Sequence, residues 1–418
     1  VEETDQQRLP NSVAVLPFEN LSPDPDNAYF AAGIHEEVLN ALVKLQNLSV
    51  ISRTSVIRYA TSELSIPEIA TQLNVETVME GSVRYAGDRV RITAQLIDAR
   101  TDEHLWSDTY ERDFADVFGI QADIAMNIAN AMQVEFSIAE QQGIEAVATQ
   151  SPAAYAHYLK AIDMWWATGT DFSWLPEMDQ AIALDPDFAA ALARKAYIIA
   201  VILSTAGTGL DDVAHLKIEA QAAAERAVAL DPNLGTAHAA LAALYQLSWQ
   251  GGAAERAFQL AYELTPDTDV LLAYGRFKRY RGEFDEAVRL GQRAVELDPQ
   301  SGFTLGQLGV TYRFARRFDE AVAALQRSME LPPGPALGVI LNIAQAEAGR
   351  GNFSEAGRQL DLGQEFPQNA SVFRLSQLAL ASSLAGRTDD AARYFSDFQK
   401  RAEVSTASDT QWARAYIE

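Results

Sequence analysis

Apolar positions along the first 140 residues change their period several times. Val13 to Phe18 is a short apolar run of strand length, closed by the turn-rich stretch from Asn20 to Asn27. Ile34, Val38, Leu42 and Leu45 then recur at helical spacing. Leu48 to Ile51 reads as a second strand, and Pro67 to Leu73 as a second short helix. Val83 to Tyr85 and Val90 to Ile97 form strand runs, the longer one alternating like a half-buried strand, and Gly87-Asp88 between them predicts a hairpin turn. His104 to Tyr110 supplies a further strand, and a long helix is predicted from about Phe114 to Ala139. The order βαβαβββα predicts an α/β sandwich, a small mixed sheet with helices on one face.

From about Ser151 the pattern repeats on a longer scale. Pro186, Pro232, Pro266, Pro299, Pro333 and Pro367 close successive units at spacings of 46, 34, 33, 34 and 34 residues. A period near 34 is that of stacked helix–turn–helix units. The one longer spacing is absorbed by the Gly-rich stretch from Ser204 to Asp212, a loop between two helices. Several of these prolines follow Leu-Asp, and proline disfavours helix for the residue before it, so each second helix stops there. Small residues such as Gly275, Ala287, Gly309 and Ala321 alternate with large ones such as Tyr312 and Leu325, as two closely packed helices require.

These units resemble the tetratricopeptide (TPR) family, over about 151–402 and as about seven helical hairpins. The N-terminal residues resemble the TolB-N-terminal-like domain. The likeness rests on Ser12 to Phe18, on Asn20, Ser22, Asp24, Tyr29, Phe30 and Gly33, on Glu80 to Arg84, on Gly87 to Asp98 and on His104 to Ser107. The expected organisation is a linker (1–11), an α/β domain (12–140), a second linker (141–150), the TPR solenoid (151–402) and a capping helix (403–418). The fold class is thus α/β plus all-α. The resemblance implies a layout in which such a domain lies between a membrane helix and a TPR array, with a cyclase or a winged-helix DNA binder upstream.

Charge and chemistry narrow the function. With 33 basic against 57 acidic residues the net charge is −24, a field that repels phosphate backbones and argues against direct nucleic-acid binding. Cysteine is absent, which excludes disulfides and thiolate chemistry. The longest apolar run, Ala196 to Leu203, is too short to cross a bilayer. The polar opening Val1 to Arg8 reads as a linker, and the layout implied by the resemblance places the region at the periplasmic, extracytoplasmic face of a bacterial inner membrane. The five histidines are scattered, so no metal site is expected, and no phosphate loop, dinucleotide fingerprint or nucleophile elbow occurs. Acidic pairs such as Glu36-Glu37 are read as helix-opening or solvent-facing, not as a catalytic dyad. No cofactor and no catalytic residue is expected, and the region is read as a non-enzyme.

What remains is binding. In a TPR array the first helix of each unit faces the groove, and the corresponding positions here are Leu272, Arg276, Arg279, Phe303, Val310 and Arg313. Three arginines on one strip of an acidic protein would suit a carboxylate tail or an acidic segment, although a solvated or internally paired face is the plainer reading of each arginine. Trp165, Trp166 and Trp174 are expected to pack the junction between the α/β domain and the solenoid, with a ligand-facing aromatic patch as the alternative. The loop carrying Asn20, Ser22, Asp24, Tyr29, Phe30 and Gly33 is either a lid on the sheet edge or a small-ligand pocket. The expected function is the sensing and protein-binding region of a membrane-anchored signalling protein of the adenylate or guanylate cyclase type. A free-standing periplasmic adaptor, a small-molecule receptor and the sensory region of a winged-helix regulator stand as alternatives.

Overall fold

A computed structural model describes residues 8–23, 28–86, 89–113, 119–145, 149–168, 172–205, 213–332, 334, 336–363 and 372–402. Asp24, the Gly87-Asp88 turn, most of the loop after Thr205, Pro333, Pro367, the first seven residues of the expected linker and the expected capping helix lie outside the described residues.

Strand β1 (Leu9–Val15) begins three residues before the expected start of the domain. It pairs in parallel with β3 (Ser49–Val50) on one side and β4 (Val75–Ala86) on the other. Strands β4, β5 (Arg89–Asp98) and β6 (His104–Asp113) form an antiparallel meander, with Val83 opposite Ile92 and Ile92 opposite Tyr110. The order is β3-β1-β4-β5-β6, and β2 (Glu19–Asn20) adds to β4 in parallel. The apolar run Val13, Ala14 and Val15 is buried on both faces, as a central parallel strand should be. In β5 Val90, Ile92, Ala94 and Leu96 are buried in alternation, as on a half-buried strand, and Ile97 beside them is buried as well.

The sheet is packed by α1 (Ala28–Leu42), the short α2 (Arg53–Val56) with the 3-10 turn Ile57–Tyr59, and α3 (Ile66–Leu73). Ile69, Ala70 and Leu73 of α3 join Val56, Tyr59, Ala14, Leu16, Val75 and Val78 in one core. Helix α3 opens with a capping box, Ser65 and Glu68 satisfying each other's end of the first turn, and Pro67 lies in that turn.

The single helix expected from Phe114 to Ala139 is instead two among the described residues, α4 (Ile120–Ala131) and α5 (Ile138–Glu145). The break has a local cause. Gln133 takes a left-handed conformation (φ 55°), Val134 turns into the core, and Asn47 binds the Glu135 carbonyl at 3.0 Å. Ser137 and Glu140 then start α5: the Ser137 amide donates to Glu140 Oε2 at 2.6 Å. That Ser-x-x-Glu signature is visible in the sequence and marks the new helix start.

Among the described residues fourteen consecutive helices follow as a TPR-like solenoid. They are α6 (Pro152–Thr168), α7 (Leu175–Leu184), α8 (Ala189–Thr205), α9 (Val213–Leu230), α10 (Gly235–Leu247), α11 (Gly251–Leu264) and α12 (Thr268–Tyr280). The remainder are α13 (Phe284–Leu297), α14 (Gly302–Phe314), α15 (Phe318–Glu330), α16 (Leu337–Gly349), α17 (Phe353–Gly363), α18 (Val372–Leu384) and α19 (Thr388–Ala402). Helices α7, α9, α11 and α13 each end two residues before Pro186, Pro232, Pro266 and Pro299, where the prolines predict. Close approach within a hairpin shows at Gly309, where a Cβ would stand 2.7 Å from Leu325 of the paired helix.

The turns inside the hairpins are left-handed at one residue. Gly282, Gly351 and Gly386 occupy it at φ 77°, 79° and 76°. Arg316 occupies the same place in the α14–α15 hairpin at φ 61°, where a Cβ is strained. Arg316→Gly is therefore expected to raise stability by about 1 kcal/mol. Chemical denaturation checks it; an unchanged or lower midpoint counts against the strain.

The chain divides into two compact units. The first is Val1–Ala200 with Ile218–Val270 and Glu296–Gln300; the second is Val201–Lys217 with Leu271–Val295 and Ser301–Glu418. The sheet and the earliest hairpins thus belong to one body. The expected periplasmic placement is corrected here. It rested on a membrane helix, and among the described residues no helix is long and apolar enough to cross a membrane. The longest, α9, carries Lys217, Glu219, Glu225 and Arg226.

Candidate functional site

In the second unit the three arginines Arg276, Arg279 and Arg313 are unevenly buried. Arg279 is buried on α12, whereas Arg276 on the same helix and Arg313 on α14 are half-buried. Arg279 Nη1 donates to Thr311 Oγ1 at 3.0 Å, and its guanidinium lies 5.3 Å from the Phe314 ring and 5.5 Å from that of Tyr280. Arg313 donates to Asn342 Oδ1 of α16 at 2.8 Å and stacks over Phe314 at 4.3 Å. Aromatic faces accept guanidiniums but do not neutralise them. Among the described residues no carboxylate stands at ion-pair distance from Arg276 or Arg279, and the buried Nε of Arg279 has no hydrogen-bond partner. Burial pushes the Arg279 pKa down, and the charges of Arg276 and Arg313 add to the effect. Of the other expected positions, Leu272 and Val310 are half-buried and Phe303 is exposed in the first turn of α14. The buried polar side chains Asn342 and Gln345 of α16 and Gln377 of α18 extend the polar character along later first helices.

In the first unit the inter-hairpin loops hold the α/β domain. The Ser52 amide donates to the Leu297 carbonyl at 2.7 Å, and Asp298 accepts from Thr54 at 2.5 Å and Ser55 at 2.7 Å. Gln300 accepts from Arg58 at 2.9 Å and donates to the Gln72 carbonyl at 2.9 Å. Gln46 reaches the Glu263 carbonyl at 3.1 Å. The Asp-Pro pair that stops α13 is thus also a docking point, a role its sequence pattern does not announce.

Glu36 departs most from expectation. The pair Glu36-Glu37 does not open α1 toward water: Glu36 is buried in mid-helix, 3.9 Å from Arg53 of α2 and 3.6 Å from Arg194 of α8. Glu37 is half-buried and accepts from the Tyr158 hydroxyl of α6 at 3.3 Å, and burial raises its pKa. Sequence reasoning missed this because Glu36's partners lie 17 and 158 residues away.

Of the residues expected on one loop, Tyr29, Phe30 and Gly33 lie instead on α1, and the described ones serve packing and pairing. Asn20 accepts the Ser22 amide at 3.0 Å, and Ser22 Oγ accepts the Tyr85 amide at 3.0 Å. Phe30 is fully buried with its ring 5.3 Å from that of Tyr85, and Tyr29 is half-buried beside it. Gly33 lets α1 meet α6: a Cβ there would stand 2.7 Å from Leu159. Trp174 is fully buried and edge-on to Trp165 at 6.4 Å.

Residues 9–125 match the family described as HilA/YgeH-like transcriptional regulator, second domain, and residues 304–337 match a tetratricopeptide repeat family. The N-terminal likeness is therefore shown to the HilA-like model; a TolB-like match is not shown. A protein of Rhizobium meliloti (strain 1021) named "Putative adenylate cyclase 3" is 41% identical over 144 residues. That stretch is 34% of this chain and 24% of the relative, so the chain spans about a quarter of that protein. Among solved structures, human IFIT1 with PPP-AAAA aligns over 71% of this chain and 68% of its own at 15% identity and TM-score 0.51. Pseudomonas aeruginosa PilF aligns over 54% of this chain and 99% of its own at 19% identity and TM-score 0.38. At these identities the likeness is one of fold. The chain is a tetratricopeptide-type helical array preceded by an α/β domain that is similar to the HilA/YgeH-like second domain.

Proposed function

We propose that this chain is the partner-binding region of a cyclase-type signalling protein, and that the strip of Arg276, Arg279 and Arg313 receives a carboxylate-rich segment of its partner. A TPR-containing chain of this kind works by protein–protein interaction. The observation that carries the finer reading is Arg279, a buried guanidinium with no carboxylate beside it and one nitrogen unpartnered. A cation buried in that way is costly unless an anion arrives from outside. Leu272, Phe303 and Val310 supply apolar contacts beside it. The cyclase reading draws on the 41% identity to the Rhizobium meliloti protein, and the expected domain limits, 12–140 and 151–402, are kept as part of it.

The test is fluorescence anisotropy with a labelled Glu-rich peptide and with a Lys-rich and a neutral peptide of equal length. The Glu-rich peptide is expected to bind preferentially, and Arg276→Ala with Arg279→Ala to weaken it at least about tenfold, since a charge-assisted pair contributes about 1.5–3 kcal/mol. Equal binding of all three peptides, or no loss in the variant, refutes the assignment. A second reading, the sensory region of a winged-helix regulator, is favoured by the match of residues 9–125 to a regulator family. The output domain encoded with this region in its gene distinguishes the two.

A further inference from the structure

Strand β6 forms one edge of the sheet, and among the described residues no strand pairs with its outer side. An antiparallel ladder turns alternate residues toward each neighbour. Ala99, just past β5, donates to the Glu76 carbonyl of β4 at 2.9 Å, and Asp98 donates to the Glu103 carbonyl, just before β6, at 2.9 Å. The even-numbered residues of β5 therefore bond toward β6. Their partners Asp108, Tyr110 and Arg112 spend their amides and carbonyls on β5, while Ser107, Thr109 and Glu111 turn theirs outward. Two of those outward groups are capped by a neighbouring side chain. Asp108 Oδ1 accepts the Thr109 amide at 2.7 Å, and Arg112 Nη1 donates to the Glu111 carbonyl at 3.0 Å. The Glu111 carboxylate already faces Arg89 at 3.8 Å and Arg91 at 3.6 Å. Asp108 and Arg112 are exposed and in no ion pair among the described residues. This stretch is also regular: the register shift of the β5–β6 ladder lies earlier, between Leu96 and Ile97, and β6 holds no proline.

We propose that β6 is a dimerisation edge, which pairs antiparallel with β6 of a second copy of this chain about a two-fold axis at Tyr110. In that register Thr109 and Glu111 of one copy lie opposite Glu111 and Thr109 of the other. Their amides and carbonyls then bond across the copies, in place of the caps that Asp108 and Arg112 supply in one chain. The two side chains so released also stand opposite each other: Asp108 faces Arg112 of the second copy, and Arg112 faces its Asp108. Each cap is thus exchanged for a backbone bond and a cross-strand ion pair. Neighbouring registers lack this match. An axis at Asp108 or at Glu111 sets that carboxylate against itself, and an axis at Thr109 leaves Asp108 facing Tyr110 and Arg112 facing Trp106. Charge complementarity therefore selects both the occupant and the register. The contact is the same patch on both copies, so it closes at two and leaves β6 no free edge.

Sedimentation velocity of the full chain, in about 0.15 M salt to screen the repulsion between copies of net charge −24, tests the pairing. The wild type is expected to pass from monomer to dimer as its concentration rises through the micromolar range. Asp108→Arg and Arg112→Asp each oppose like charges twice per dimer and are expected to weaken association at least about tenfold. The variant carrying both substitutions restores opposite charges and is expected to recover it. Thr109→Pro deletes an outward amide while sparing the bonds to β5, and is expected to abolish the dimer. A wild type that stays monomeric throughout overturns the proposal. So does a dimer that survives Thr109→Pro, one that either single charge reversal leaves unchanged, or a double variant no stronger than the singles. Should Thr109→Pro fail to fold, the charge reversals decide, since they replace exposed side chains alone.

Discussion

Replacing Glu36 by alanine is expected to destabilise the first unit by about 3–5 kcal/mol, the cost of removing one partner from a buried ion pair. The magnitude follows from what remains. Arg53 and Arg194, both largely buried, lose the carboxylate at 3.9 and 3.6 Å and keep their charge. Urea titration followed by tryptophan fluorescence measures the loss, since Trp174 is buried in the same unit. A double substitution, Glu36→Leu with Arg194→Met, separates charge from shape. If the penalty is the uncompensated guanidinium, the double variant recovers part of the loss suffered by Glu36→Ala. A loss below about 1 kcal/mol would mean that water reaches the pair and screens it like a surface bridge.

The sequence reveals local order well and long-range polar pairing poorly, and Glu36 shows why. Proline spacing makes the helical repeat legible because a proline acts on its immediate neighbours wherever it stands. The apolar run at Val13 to Val15 and the alternation in β5 are similarly local, and both appear as expected. The break between α4 and α5 was also written locally, in Ser137 and Glu140, but helical periodicity on both sides hid it. A carboxylate such as Glu36 carries no local sign of burial. Its α1 neighbours Ile34, Val38 and Leu42 mark an apolar face, yet only the fold brings Arg53 and Arg194 to it. The arginine strip is an intermediate case. Repeat position placed Arg276, Arg279 and Arg313 near one another, while the burial of Arg279 and its contact with Thr311 depend on how α12 meets α14.

The Asp-Pro loops link the two kinds of information. Asp298 is predicted as a helix stop and observed as one, but its carboxylate also accepts from Thr54 and Ser55. The residue that stops the helix thus also anchors the α/β domain, joining α2 to the end of α13 within the first unit.

Acid is expected to weaken the α/β domain through His35, by about 3 kcal/mol between pH 6.5 and about pH 4. The imidazole is buried on α1 and its Nε2 lies 2.9 Å from the Val15 carbonyl, which can only accept, so Nε2 carries the proton of the neutral ring. The Phe18 ring stands 6.0 Å away. Burial, reinforced by the charge of Arg53, pulls the pKa from 6.5 down to about 4. The sign is that of a base held neutral by the fold. Above pH 6.5 neither state binds the proton and the contribution is intact. Below it the unfolded chain takes up the proton first, and stability falls until the folded pKa is reached. Glutamine at this position can donate to the Val15 carbonyl but does not titrate, so His35→Gln is expected to remove this part of the acid dependence while leaving stability near neutral pH within about 1 kcal/mol. Parallel urea titrations of both proteins across that interval measure the difference directly, and equal slopes would show that His35 is protonated in the folded state.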